Sequence, residues 1–204
     1  MWISARQTAK VTWPWTAFIV VPWIFTFMQK PIIRLAEADF HKKDAFLRKR
    51  SEPVLRFDGN DLVQTVQNLT DTINVHEIAV GLSAVQIGTH SRVFVVDATK
   101  IEDATGEKQS ERGIIAFINP KILRVSRICE KQMEACMSLP FYQGEVERPL
   151  KIKVAYQTMK GAPKRLAASG LLARVILHEV DHLDGILYID RMLPDSKLIP
   201  VDFP

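Results

Sequence analysis

The stretch SGLLARVILHEVDHLDG, residues 169–185, decides how this chain is read. Leu171, Leu172, Val175 and Ile176 recur at helical spacing, with Ser169 where a cap belongs and Gly185 where a stop belongs, so the segment predicts a helix. His178 and His182 are four residues apart and share a face of that helix. Both imidazoles can therefore reach one metal ion, with Glu179 flanking it. The chain has five His among 204 residues, and shuffling such a composition yields HExxH in only about 0.6% of cases. The bland alternative is two core histidines satisfied by hydrogen bonds. It is costly, because two His and a Glu on a largely apolar helix need partners when buried.

Outward from this helix the period changes. Leu62, Val66, Leu69 and Ile73 behind Asn60 and Asp61 mark an earlier amphipathic helix. RVFVVD (92–97), GIIAFI (113–118) and KIKVAY (151–156) read as strands, and KIEDATGEKQSER (100–112) as a polar loop. Helix, strands and helix in this order predict an α+β fold.

Composition narrows the function. Hydrophobic residues make up 47% of the chain and charged residues 25%, which excludes a disordered protein. Two cysteines, Cys129 and Cys136, are too few for a disulfide scaffold. The net charge of +4 counts 27 basic residues, of which Arg6 and Lys10 lie in an acid-free leading segment; without them 25 face 23 acids. No Lys/Arg block interleaved with aromatics occurs, so no direct nucleic-acid binding is expected. The cluster Lys42, Lys43, Arg48, Lys49 and Arg50 reads as a solvated surface.

Residues 1–27 stand apart as a hydrophobic extension holding all four tryptophans. The 19 uncharged residues 11–29 approach the length of about 20 that a membrane-spanning helix needs. Pro14 and Pro22 interrupt them, and no small-x-small cleavage site follows. The segment reads as a signal-anchor or as an extension upstream of a start at Met28, so membrane association through 1–27 is one expectation and a working unit of 28–204 the other.

A hydrolytic metal site wants three protein ligands and an open position for water. The histidine motif supplies two; Leu183-Asp184-Gly185-Ile186 follows it without a third. His41, His76 and His90 have no supporting neighbourhood. Glu134-Ala135-Cys136-Met137-Ser138 offers a thiolate beside an acid. Three ordered segments, Gly81-Leu82-Ser83-Ala84-Val85-Gln86, Glu134-Ala135-Cys136-Met137-Ser138 and HEVDH followed by LDGILYIDR, resemble the signature motifs of peptide deformylases. Phe57-Asp58, Asn119-Pro120-Lys121-Ile122 and Val146-Glu147-Arg148-Pro149 extend the resemblance over about residues 28–193.

The resemblance implies antiparallel strands around a central C-terminal helix carrying HEVDH. It implies one divalent metal ion, Fe2+ or Zn2+, on Cys136, His178 and His182, a donor set that suits either. Glu179 would be the general base, and Gln86 with the backbone N–H of Met137 would stabilise the developing oxyanion. The substrate would be N-formylmethionyl nascent chains at the ribosome, bound extended along Val80, Gly81 and Ala135. Leu171 and Val175 would line the methionine pocket or pack in the core, and Arg148 would brace Asp181. The setting implied is the bacterial cytoplasm, with a membrane-anchored or organellar one left open by residues 1–27.

The family's usual Gly-x-Gly-x-Ala-Ala-x-Gln stands here as Ala79-Val80-Gly81-Leu82-Ser83-Ala84-Val85-Gln86. Ala135 and Met137 replace the usual Gly and Leu around Cys136. Ala135 adds a methyl where substrate backbone would pass. A metallopeptidase using the same HExxH logic and a non-catalytic, divergent binder of formylated chains are the alternatives. Cys129 is expected to be a buried thiol.

Overall fold

A computed structural model describes residues 29–42, 45–101 and 113–201. The extension 1–27, the boundary at Met28 and nearly all of the polar loop 100–112 lie outside the described residues.

The period-3.6 segment forms α1, Asn60–Val75, and buries Leu62, Leu69 and Ile73. Strands β1 (Gly81–Ser83) and β2 (Val93–Asp97) follow, then β3 (Ile114–Val125), β4 (Cys129–Cys136), β5 (Leu139–Pro149), β6 (Lys151–Gln157) and β7 (Pro163–Ser169). The chain then enters α2, Gly170–Leu183, and later adds a short β8, Ile199–Pro200. All strand pairings are antiparallel. One sheet runs β1-β2-β3-β6-β7 and the other β4-β5-β8. This is the α+β architecture expected.

The two helices clasp the larger sheet from opposite sides. β2 is buried on both faces. Phe94 and Val96 point to α2, where they pack with Phe117, Ile152, Val154, Leu172 and Ile176, while Val93 and Val95 point to α1 and meet Leu69 and Ile73. Full burial of each such side chain contributes about 1.5–3 kcal/mol, which is what holds α2 rigidly under the sheet. None of the helices among the described residues is long and apolar enough to cross a membrane.

Ser169 occupies the N-cap position of α2, but its side chain makes no cap hydrogen bond. It is still paired with Lys151 as the last residue of β7. Gly170, at φ +57°, lets the chain turn from strand to helix without a loop. Cys129 is exposed rather than buried. It begins β4, an edge strand whose first half projects beyond the core, with only Glu134 and Cys136 buried along its length. The basic cluster is likewise not a uniform solvated surface. Arg48 is largely buried and pairs with Asp190 at 2.6 Å, and Arg50 approaches Asp184 at 3.5 Å.

Candidate active site

α2 is apolar along the face that meets the sheet, and its register carries His178 and His182 to the opening between the two sheets. β4 brings Cys136 there, next to a bulge between Ala135 and Cys136. The ligand atoms of Cys136, His178 and His182 all lie within 4.8 Å of one another. The Cys136 sulfur is 3.2 Å from His182 Nε2. Ligand bonds of about 2.0–2.3 Å place tetrahedral donors roughly 3.5 Å apart, so this donor set fits a single divalent ion. Burial pushes the Cys136 thiol up, but His182 and His178 beside it more than reverse this and hold it well below the ordinary thiol value. The sulfur is thus available as the thiolate that metal binding requires.

A charged network orients these groups. His178 Nδ1 is 3.0 Å from Glu134 Oε2. Glu134 also accepts two hydrogen bonds from Arg148, at 2.7 and 2.9 Å, and one from Arg174 at 2.7 Å. Burial pushes the Glu134 carboxyl up, yet the hydrogen bonds from Arg148 and His178 hold it far below the carboxylate range. Arg148 continues to Asp181 at 2.7 Å, so the brace between them is present. Arg191 caps the same Asp181 at 2.9 Å. A carboxylate behind a ligating imidazole fixes the ring and its tautomer.

Glu179 is 3% exposed, and its Oε2 has no hydrogen-bond partner. Burial raises its carboxyl above the usual value against the pull of His182 and His178. Gly81 explains how the carboxylate fits beside β1. A Cβ there would stand 2.6 Å from Glu179 Oε1 and 2.8 Å from Val175 Cγ1. Gln86 is buried in the turn after β1. Its Oε1 accepts from the Ser83 N–H and hydroxyl, both at 2.9 Å, while its Nε2 points to the Cys136 sulfur at 3.6 Å and to Ser138 Oγ at 3.2 Å. Ser83, a departure from the family's pattern, therefore serves as the clamp on Gln86.

These groups floor a cleft of about 250 Å³ whose walls include Val80 and Gly81 on one side and Ala135 and Met137 on the other. Leu171 and Val175 also line it. Leu171 is 41% exposed, so it is no core residue, whereas Val175 packs partly on the core. β1 and β4 are edge strands of the two sheets, so the cleft lies between two strand edges. Val80, Gly81, Gln86, Ala135, Cys136, Met137, Leu171, Val175, His178 and Glu179 line this cleft and His182 completes the three-residue group, while His41, His76 and His90 stay outside that group and Cys129 stands exposed elsewhere. The sequence reading missed Arg174 and the role of Ser83. Arg174 carried a signal, since it sits four residues before His178 on an otherwise apolar helix.

The family model for polypeptide deformylase matches residues 40–197. A peptide deformylase of Thermotoga petrophila is 40% identical over 156 residues, which are 76% of this chain and 87% of that protein. The crystal structure of the Thermotoga maritima peptide deformylase superposes with a TM-score of 0.68 at 36% identity, covering 81% of this chain and 99% of that one. A Met-Ala-Ser-bound class I type b deformylase from Acinetobacter baumannii gives 0.68 at 28% identity, covering 80% and 98%. The chain belongs to the polypeptide deformylase family. It is a metal-binding hydrolase acting on formylated new chains, and the comparisons support this main reading and neither alternative.

Proposed function

We propose that Cys136, His178 and His182 hold one divalent ion, Fe2+ or else Zn2+, and that the formyl group of an N-terminal formylmethionine is hydrolysed in the adjoining cleft. What supports this most is the convergence of three ligand atoms within 4.8 Å and a buried carboxylate with an unpartnered oxygen on one cleft. When bound, the ion supplies Lewis-acid polarisation of the carbonyl and lowers the pKa of water. The remaining work falls to the chain's own groups. Glu179 takes the proton of the attacking water and delivers one to the amine nitrogen as the C–N bond breaks, leaving formate and a free amino terminus. Gln86 Nε2, held in place through Ser83, and the Met137 backbone N–H donate to the oxygen on which charge grows.

The substrate enters extended, as a strand added between the edges of β1 and β4. Val80 and Gly81 meet it on one side and Ala135 on the other, while the methionine side chain covers Leu171 and Val175. The Ala135 methyl narrows this passage relative to the family's usual glycine. We assign the catalytic unit to residues 28–204. The reaction belongs with nascent chains at the ribosome in a bacterial cytoplasm, and an anchored or organellar setting would arise through residues 1–27.

Replacing Glu179 with Gln removes the proton carrier but no metal ligand. Formate release from formyl-Met-Ala-Ser should fall by about two orders of magnitude or more with the metal content unchanged. Near-normal release by that variant would remove the assigned base.

A further inference from the structure

Residues 113–128 and 149–169 together hold eight Lys and Arg and no Asp or Glu. All eight are exposed, and none forms an ion pair among the described residues. The sequence shows no contiguous basic block, but strand pairing assembles one, because β3, β6 and β7 are neighbours. Along β6, Ile152 and Val154 are buried in the core with α2, while Lys151 and Lys153 stand on the opposite face. Register extends that face: Arg124 lies opposite Lys153, and Lys121 and Arg165 both lie opposite Ala155. α1 covers this side of the sheet over β1 and β2, through Leu82, Val93 and Val95. The cations occupy the part beyond it.

Arg124 and Lys153 form a like-charge cross-strand pair, an arrangement that costs the fold stability. An unneutralised face of this kind matches a polyanion. Ala155 and Ala167 stand between the cations, and Leu123, 40% exposed in the bulge between Ile122 and Arg124, is a single apolar side chain, too little to anchor the face in a bilayer. The exposed Val125 pairs with Ile152 and so points to the other side. A sheet face presenting separated charges suits a phosphate backbone.

We propose that this cationic face docks the enzyme on the phosphate backbone of ribosomal RNA, beside the chains it deformylates. The inference rests on the deformylase reading for the choice of polyanion. It is tested on the full chain with a triple variant, Arg124→Gln, Lys153→Gln and Arg165→Gln, none of which touches the cleft. Wild-type protein should co-sediment with purified ribosomes and release as salt rises. The triple variant should bind about tenfold or more weakly, and its slope of log affinity against log salt should be shallower by about 2 to 3, from roughly 0.7–0.9 per lost phosphate contact. Both proteins should hydrolyse free formyl-Met-Ala-Ser equally. Arg124→Glu, which turns repulsion with Lys153 into attraction, should raise Tm while weakening ribosome binding.

Ribosome binding by the triple variant equal to wild type would overturn the proposal. So would wild-type protein that ignores ribosomes, or that prefers phosphatidylglycerol–phosphatidylcholine vesicles to them. Wild-type protein inactive on the free peptide yet retained on ribosomes would instead strike the deformylase reading, so the two failures are distinguishable.

Discussion

Gly81 is held to glycine by what a methyl group would strike, since the nearest atoms are the Glu179 carboxylate and the Val175 side chain. Gly81→Ala should displace the base while leaving all three ligands, and a shift near 1 Å is worth on the order of 100-fold in turnover. Formate release with metal content measured alongside checks this; unchanged kcat would mean that Glu179 tolerates displacement or plays no part. The proposed ligand assignment separates the two cysteines in the same way. Cys136 is buried against His182, and Cys129 is exposed at the start of β4. Cys136→Ala should lose metal and activity together, and Cys129→Ala should lose neither. Full metal retention by Cys136→Ala would break the ligand assignment.

At the scale of elements, α2 is fastened to β4 and β5 by charge as well as by packing. Arg148 on β5 joins Glu134 on β4 to Asp181 on α2, and its side chain is 6% exposed. Removing one partner of a buried pair commonly costs about 3–5 kcal/mol, and because Arg174 and Arg191 still face the two acids, the lower end applies. Arg148→Met should therefore lower unfolding stability by about 3 kcal/mol in a denaturant titration, and a loss under about 1 kcal/mol would show the network to be ornamental. Element type was legible wherever apolar residues made the period visible, as in α1, α2, β2 and β6. It was illegible in β5, whose inward positions are Gly144, Val146 and Arg148, so its alternation is structural but not hydrophobic. β7 begins with Pro163 and is an edge strand, where proline is tolerated and strand propensity is a weak guide. β3 runs on past Pro120, because the register shifts between Ile118 and Lys121 absorb it.

For the whole molecule, the site exists because two sheets leave their edges open to one another and α2 lies rigidly beneath the gap. His178, His182 and Glu179 were readable from the spacing of one helical motif, whereas Cys136 and Gln86 were reached only through the resemblance to peptide deformylases. Arg174, the Ser83 clamp and the cationic face were not legible, because each depends on which distant strands become neighbours. The central claim is that this assembly removes formyl groups from methionine-initiated peptides with the help of a bound metal. Its most direct test is formate release from formyl-Met-Ala-Ser by anaerobically purified protein, with divalent metal counted on the same sample and unformylated Met-Ala-Ser as control. The account predicts about one ion per chain, formate and Met-Ala-Ser as the products, loss of activity on chelation, and no attack on the control. A metal-loaded chain that leaves the formyl peptide intact, or that cleaves the Met–Ala bond of the control instead, would contradict it.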